Sequence, residues 1–392
     1  MKLTIQSTDL EAVLTAACAV SKSPDAIQII AERIGEALSE VGPDTEERPA
    51  EMGQIRVIAF NENIVSEWRR PAEIKMAGSV AIIPGGLDRL VKASKNSDAS
   101  FSLETVQTDN EMSLRLSTSR SAHEFPAESE AVFDRIVPGH TNGKRADLGA
   151  FARAIEVARV AAAHRGDAAG AKISMTGIHI HRRAGMIDIV ATDGKRLAIT
   201  TLREDTIGAV SLGEAADKGV TIPAEAINMM TSMLGSGPAH VEVVENNIIV
   251  EGPDGSVSIR MIDAPYPPYS TLLGLKTTQR IILSKSMLDV ALQRSSVSLA
   301  KDKRTVAVKM SRGEDGVFIT SAVAGQSSSE CVSDEPGDEV AVGFDASYMM
   351  AAISVFPKSN IAIDFTDVST PILVTSSSMP EITMLVMPCK IN

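Results

Sequence analysis

Aromatic residues are scarce in this chain: they make up 3% of its 392 residues, and there is a single Trp. The core must therefore rely on Ile, Val, Leu, Ala and the 17 Met. Cysteine is equally rare. Cys18, Cys331 and Cys389 are odd in number and far apart, so they form neither a disulfide framework nor a metal-binding spacing. This composition suits a reducing cytoplasm.

Long apolar runs are absent too. No stretch approaches the ~20 residues that span a membrane, and Met1–Gln6 alternates like a strand without the apolar segment of a signal peptide. Apolar residues make up 44% and charged residues 22% of the chain, which is typical of a folded globular protein. We therefore expect a soluble cytoplasmic protein with no membrane partner, long enough for two to four domains.

The common catalytic motifs are also missing. The chain has no Walker phosphate loop, no His-Glu-x-x-His, no Gly-x-Ser-x-Gly and no Gly-x-Gly-x-x-Gly after a strand. His179 and His181 alternate on a predicted strand, but without a third ligand nearby we expect a partly exposed pair rather than a metal site. Asp188, Asp193 and Asp263 are conceivable acid–base groups, and Asp193 is better explained as a turn former. We expect no enzyme, no cofactor and no metal; an α+β enzyme with a site assembled from distant residues is the alternative.

Acidic residues outnumber basic ones, which gives the chain a formal net charge of −12. A protein that coats nucleic acid with its whole surface would be basic, because Lys and Arg contacts with phosphate supply most of the affinity. The balance still allows basic groups on one face. Such residues recur on predicted helices, at Arg153 and Arg159 and at Arg89, Lys92 and Lys95. By itself, each series is equally consistent with an ordinary solvated helix face.

Two sequence patterns each occur three times along the chain. A short alternating strand, a polar cap residue and an amphipathic helix occur together at Ser7, Asp147 and Ser284, with caps about 140 residues apart. A second strand followed by a helix begins at Ala81, Val220 and Val340, and hairpin-like strands follow each helix. This order predicts six helix-plus-antiparallel-strand units, paired into three similar domains.

The repeat spacing predicts domains at residues 1–142, 143–275 and 276–392. The segment 40–52 interrupts the pattern with acidic residues and Pro, which predicts a solvated surface loop.

Three segments are more specific. Asp193-Gly194 lies between apolar residues and predicts a tight hairpin turn, because Gly accepts the positive φ that such turns need. Met384–Lys390 contains a short apolar run near the C-terminus, which predicts a tail docked on the fold. Tyr266–Leu273 reads Tyr-Pro-Pro-Tyr-Ser-Thr-Leu-Leu.

Together with the repeat plan, these segments resemble the bacterial sliding clamps, the β subunits of DNA polymerase III. The resemblance implies an α+β fold of three similar domains, each of two helix-plus-antiparallel-strand units, forming half of a ring. Two chains would join head to tail as a homodimer around duplex DNA. The expected function is a non-catalytic clamp that tethers a replicative polymerase and confers processivity. The first domain matches less well, so the alternative is a clamp-like scaffold for a specialised plasmid, phage or repair polymerase.

The resemblance also implies a pocket for short peptides of the polymerase, the clamp loader and repair proteins. Motif matching gives its expected lining: Met175, Thr192, Gly194, Lys195, Arg196, Leu197, Pro267, Leu272, Val368, Thr370, Met387, Pro388 and Cys389. Thr271 stands where the family usually has a basic residue, Lys195 replaces a more common His, and the tail ends Cys389-Lys390-Ile391-Asn392.

DNA contact is expected at phosphates only, without base recognition. The expected residues are Lys22, Arg89, Lys92, Arg153, Arg159, His164, Arg165 and Lys301. For the homodimer, Val297 and its neighbours are expected to face the strand around His123–Phe125 of the other chain.

Overall fold

The computed structural model describes residues 1–19, 26–36, 43–83, 85–94, 99–108, 111–128, 143–164, 172–299, 306–323 and 326–390. The predictions made for Lys22, Arg165, Lys301 and the side chain of Val297 lie outside the described residues.

The helices of the described residues are short. In chain order they are α1 Ser7–Cys18, α2 Leu87–Ala93, α3 Gly149–Arg159, α4 Ala215–Lys218, α5 Ile227–Gly235, α6 Lys285–Leu299 and α7 Ala346–Ser354. Single 3₁₀ turns lie at Ile173–Thr176, Glu204–Ile207, Ala224–Ala226 and Tyr269–Leu272. Among these residues we find no helix with both the length and the apolar character that crossing a membrane requires.

The strands outnumber the helices, as the alternating segments predict. They are β1 Lys2–Gln6, β2 Ala26–Arg33, β3 Glu51–Phe60, β4 Ile64–Met76, β5 Gly78–Ile82, β6 Ser100–Gln107, β7 Met112–Ser117, β8 Ala122–Glu128, β9 Gly177–Arg183, β10 Met186–Thr192, β11 Arg196–Arg203, β12 Val210–Ser211, β13 Val220–Pro223, β14 His240–Val244, β15 Asn247–Gly252, β16 Gly255–Arg260, β17 Gln279–Ser284, β18 Ala307–Gly313, β19 Gly316–Val323, β20 Gln326–Ser333, β21 Val340–Asp345, β22 Asn360–Phe365, β23 Ile372–Thr375 and β24 Ile382–Val386.

The chain forms two compact units. The first comprises Met1–Ala152, Gly208–Gly213 and Glu225–Met261. Its sheet runs β1-β6-β7-β8-β5-β2-β3-β4-β16-β15-β14-β12, and β1 also pairs with β4, so the first eight strands close on themselves. Leu10, Val13, Leu14 and Ala17 form the buried face of α1, at the helical spacing that the sequence predicts.

The second unit comprises Arg153–Ile207, Glu214–Ala224 and Ile262–Asn392. It holds an eight-stranded sheet, β13-β9-β10-β11-β24-β23-β22-β17, and a four-stranded sheet, β20-β19-β18-β21. Each compact unit therefore contains part of the predicted central domain. The fold class is α+β, as predicted, with pairing that is antiparallel apart from β12 and β14.

The predicted helix starts hold at two positions and fail at one. The Asp147 carboxylate accepts a hydrogen bond of 2.8 Å from the amide of Gly149, where α3 begins, and Ser284 directly precedes α6. Ser7 does not cap α1 but is its first residue, and Gln6 precedes it without a side-chain cap. The hydroxyl therefore lies inside the first turn rather than ahead of it.

The segment 40–52 is less detached than its composition predicts. Its residues from 43 to 50 are mostly exposed, but Asp44 forms a 2.6 Å ion pair with the buried guanidinium of Arg33. Asp44 Oδ2 also accepts a hydrogen bond from the amide of Ala77, and β3 begins at Glu51. The prediction of a solvated surface loop agrees with the exposure of most of these residues but is wrong for Asp44, because a buried arginine anchors its carboxylate.

Candidate functional site

The turn between β10 and β11 is fixed by its own side chains. Asp193 Oδ1 accepts hydrogen bonds of 2.9 Å from the amides of both Lys195 and Arg196. The Thr192 hydroxyl donates to the carbonyl of Arg196 and accepts from the amide of Gly194. Gly194 has φ of 85°, which side chains disfavour. The turn predicted from Asp193-Gly194 is therefore present, and hydrogen bonds from its own side chains hold it.

The C-terminal tail docks beside this turn. β24 pairs with β11 in antiparallel register, with Val386 opposite Arg196, and the amide of Met387 donates a 2.8 Å hydrogen bond to the carbonyl of Lys195. Beyond it, Pro388 bridges to Phe344, and the amide of Cys389 donates to the carbonyl of Gly343. Burial raises the pKa of the Cys389 thiol, so this cysteine is neutral at physiological pH.

The segment Tyr266–Leu272 supplies the opposite side. Tyr269 is buried, and its hydroxyl donates a 3.0 Å hydrogen bond to Oδ2 of the fully buried Asp188. Burial, followed by the charge of Asp188, raises the pKa of Tyr269. Arg183 and Thr201 also donate to the Asp188 carboxylate, over 3.1 and 2.8 Å. Asp188 therefore has a structural role, with hydrogen-bond donors on both of its carboxylate oxygens.

Turn, tail and segment enclose a cavity of about 300 Å³. Its lining is Lys172, Met175, Thr192, Gly194, Lys195, Arg196, Leu197, Pro267, Pro268, Tyr269, Leu272, Pro371, Leu385 and Met387. All of these residues belong to the second compact unit.

The cavity has an apolar floor, and positively charged side chains lie at its margin. Leu197, Tyr269 and Leu385 belong to one buried cluster, and Leu272 packs against it. Lys172 and Lys195 are exposed at the margin, whereas the Arg196 guanidinium is held 3.0 Å from Asp193. Such a site can bury apolar side chains of a ligand and attract an acidic group beside them.

Most of the predicted pocket residues line this cavity. The structure brings together Met175, Thr192, Gly194, Lys195, Arg196, Leu197, Pro267, Leu272 and Met387. Four predicted residues, Val368, Thr370, Pro388 and Cys389, are not in the lining, although Thr370 and Pro388 are chain neighbours of lining residues.

Sequence reasoning missed five lining residues, which are Lys172, Pro268, Tyr269, Pro371 and Leu385. Pro268, Tyr269 and Leu385 lie inside the segments that carry the family resemblance, so the resemblance had located their neighbourhood. Lys172 and Pro371 belong to no recognised motif.

The described basic residues predicted to contact DNA are all exposed: Arg89, Lys92, Arg153, Arg159 and His164. Some have partners on their own helix or turn. Lys92 Nζ lies 4.0 Å from Asp88, Arg159 pairs with Glu156 over 2.7 Å, and Arg89 donates to the carbonyl of Gly85. Exposure leaves them accessible to an anion.

The predicted histidine pair differs from expectation. His181 is partly exposed, but His179 is buried with 6% exposure, because β13 pairs with β9 beside it and Tyr266 covers its ring. Burial, with a smaller effect of the nearby His181, lowers the pKa of His179 to about 4. Across the described ranges, no group of His, Cys, Asp and Glu is arranged to hold a metal ion.

Comparison with known proteins agrees with this geometry. The sequence model for the DNA polymerase III beta subunit, central domain, matches residues 147–268, and that for its C-terminal domain matches residues 271–390. The beta sliding clamp of Synechocystis sp. is 24% identical over 369 residues, covering 88% of this chain and 90% of the relative. That of Bacillus subtilis is 24% identical over 222 residues, covering 55% and 57%.

Solved structures match over the full length. The DNA polymerase sliding clamp from Bacillus subtilis superposes with a TM-score of 0.81 at 19% identity, and the Caulobacter crescentus pol III beta with 0.80 at 19%, each covering 100% of both chains. The fold is thus that of the DNA sliding clamps. The chain belongs to the family of bacterial DNA polymerase III beta subunits.

Proposed function

We propose that this chain is a DNA sliding clamp that encircles duplex DNA, tethers a replicative polymerase for processivity and catalyses no reaction. It acts in the cytoplasm as a homodimer, each chain contributing three domains, at residues 1–142, 143–275 and 276–392, that form half of the ring. The observation that carries the proposal is the cavity between the Asp193–Lys195 turn and the docked tail, in a chain of this family.

The cavity takes short peptide segments of the polymerase, the clamp loader and repair proteins. Its floor offers Leu197, Leu272 and Leu385 to apolar side chains, and Met387 is exposed at its edge. Burying apolar surface contributes about 25 cal/mol per Å², so one or two large side chains supply most of the affinity. Lys172 and Lys195 favour an acidic residue beside them.

An equivalent junction in the first compact unit supports this specificity. There, the amide of Arg260 at the end of β16 donates a 2.8 Å hydrogen bond to the carbonyl of Asn63 in the β3–β4 turn, as Met387 does to Lys195. The cavity at that junction is polar, with Asn61, Glu62 and Glu245 in its lining. The repeated fold alone therefore does not create an apolar pocket; the residues at the second junction do.

Exposed cations on the helices provide the DNA contacts. Arg153 and Arg159 lie on α3, with Arg89 and Lys92 on α2. Lys and Arg on a helix face contact phosphates without reading bases, and the net charge of −12 disfavours adhesion to DNA elsewhere. Binding is thereby weak and independent of sequence, as a sliding ring requires.

Two strand edges suit head-to-tail assembly. Residues 122–126 of β8 pair with β7, while β5 reaches only Ala127 and Glu128 among the described residues. In the four-stranded sheet, β20 is an edge strand next to β19. Unpaired edges recruit further strands, so β8 of one chain joins β20 of another and closes the ring.

The decisive experiment measures topological retention. The protein is loaded on nicked circular DNA, which is then linearised. A clamp remains on the circle, leaves the linear form, and stays on linear DNA whose ends are blocked by biotin-bound streptavidin. Equal retention on circular and open-ended linear DNA would contradict the proposal, because an ordinary DNA binder does not sense ends.

A further inference from the structure

We propose that His179 and His181 of β9 are positioning residues that hold the segment Tyr266–Tyr269 as a wall of the peptide cavity. The inference rests on the proposed function for its consequence in binding. It rests on the contacts of the second compact unit for its structure.

The segment has little backbone anchorage of its own. Pro267 and Pro268 both line the cavity, and neither has an N–H to donate. Among the described residues, the hydroxyl of Ser174 donates to the carbonyl of Pro265 over 2.9 Å, and the amide of Tyr269 donates to the carbonyl of Pro267 over 2.8 Å. The hydroxyl of Thr271 donates to the carbonyl of Pro268 over 3.0 Å, but Thr271 and Tyr269 belong to the same stretch of chain, and these local bonds do not tie it to the sheet. Side chains must therefore fix the position of the two prolines.

His181 fixes one end of the segment. Its Nδ1 lies 3.0 Å from the hydroxyl oxygen of Tyr269, which is itself 3.0 Å from Oδ2 of Asp188. The hydroxyl has one proton and gives it to the carboxylate, which can only accept. His181 must then donate from Nδ1, so its neutral form carries the proton on Nδ1 rather than Nε2.

His179 fixes the other end. Its ring stacks on that of Tyr266, with centroids 4.3 Å apart and planes inclined by 8°. Nδ1 lies 3.0 Å from the hydroxyl of Thr221 on β13. A Cβ added to Gly219 would lie 2.2 Å from the His179 ring, so the backbone there holds the imidazole against Tyr266. The two histidines thus contact the two tyrosines that flank the prolines. We call these two contacts, His179 with Tyr266 and His181 with Tyr269, the clasp.

Histidine ¹⁵N NMR tests the clasp without any ligand. The neutral His181 should show the Nδ1–H tautomer, and Tyr269→Phe should shift its Nδ1 resonance while leaving His164 unchanged. The Nε2–H tautomer in the wild-type protein, or an unchanged His181 spectrum in Tyr269→Phe, would overturn the proposal whether or not the cavity binds peptides.

Peptide affinity tests the consequence. The probe is a fluorescein-labelled decapeptide with Asp-Leu-Phe at its centre and Ser and Gly elsewhere, measured by fluorescence anisotropy. His181→Leu and Tyr269→Phe should each weaken binding about three- to tenfold, and the double variant should be no weaker than the poorer single one, because both remove the same link. His181→Asn, which retains a donor near Nδ1, should recover most of the loss.

Thr201→Val is the matched control. It removes another hydrogen bond to Asp188, at 2.8 Å, but leaves the contacts of Tyr266–Tyr269 unchanged. It should therefore lower the stability of the protein without weakening peptide binding. If the wild-type protein binds and the His181 and Tyr269 losses simply add, the clasp is wrong. If the wild-type protein does not bind while the NMR result holds, the proposed pocket fails and the clasp stands as a structural device.

Discussion

At the scale of single residues, His179 links the burial of a titratable ring to the pH dependence of stability. It is buried beneath Tyr266, with its Nδ1 beside the Thr221 hydroxyl and the half-exposed His181 as the nearby ionisable group. Burial lowers its pKa to about 4. The folded protein therefore keeps this ring neutral at pH values where the unfolded chain protonates it.

We predict that His179 makes the protein less stable in mild acid. The unfolded chain takes up a proton below about pH 6.5, and the folded protein does so only near pH 4. The free energy of unfolding should thus fall between these values, by about 2 kcal/mol at pH 5 relative to pH 7. Urea titration of the wild-type protein and His179→Gln at both pH values checks this, because glutamine does not titrate. The same pH dependence in both proteins would show that His179 is not responsible.

Several residue-level features followed from the sequence because they are local. Asp193-Gly194 defines its own turn, and helical spacing identified the buried face of α1. The burial of His179 did not follow, since alternation identifies one face of a strand and cannot show that another segment covers it. Lys172 and Pro371 reach the cavity only through the tertiary fold, so no local pattern indicates them.

At the scale of elements, the tail combines a structural and a binding role that can be separated. Val386 is fully buried and paired with Arg196, so it belongs to the core. Met387 is exposed and lines the cavity, and Cys389 reaches the carbonyl of Gly343. A truncated chain intended to probe binding must therefore retain Val386 as its last residue.

We predict that removing residues 387–392 weakens binding of the Asp-Leu-Phe peptide at least about tenfold, a loss of roughly 1.4 kcal/mol, because Met387 is lost from the lining of the cavity. The melting temperature should fall modestly, since the contacts to Phe344 and Gly343 go with it. Lys390→Ala, which alters an exposed tail residue outside the cavity, is the control and should bind as the wild type does. Unchanged binding after truncation would exclude the tail from the pocket.

At the scale of the whole molecule, sheet edges govern assembly. Residues 122–126 of β8, which have β7 as their one neighbour among the described strands, and the edge strand β20 carry mostly small and polar side chains. Glu330 on β20 already pairs with Arg294 over 3.2 Å. The repeated strand and helix pattern predicted three domains and antiparallel strands. It did not distinguish edge strands from central ones, because the position of a strand in a sheet depends on long-range pairing.

We predict that acidic substitutions on β8 open the proposed ring without harming the monomer. Ala122→Asp combined with His123→Asp changes two exposed residues, so its cost to folding should be within about 0.5 kcal/mol per site. Charged side chains on an edge strand oppose its pairing with another strand, so the substitutions should raise the dimer dissociation constant at least about tenfold in sedimentation velocity. Lys309→Asp makes the same change in net charge on β18, a strand flanked on both sides, and should leave the dimer intact.

The same β8 variant separates the two activities of the proposed clamp. Retention on circular DNA depends on a closed ring, so the variant should leave circles as readily as linear DNA, while Lys309→Asp stays on circles. The peptide cavity is formed by residues of one compact unit of one chain, so affinity for the Asp-Leu-Phe peptide should be unchanged in both variants. Loss of peptide binding along with the dimer would mean that the cavity depends on assembly, and retention on circles by a monomeric variant would mean that topology is not what holds this protein on DNA.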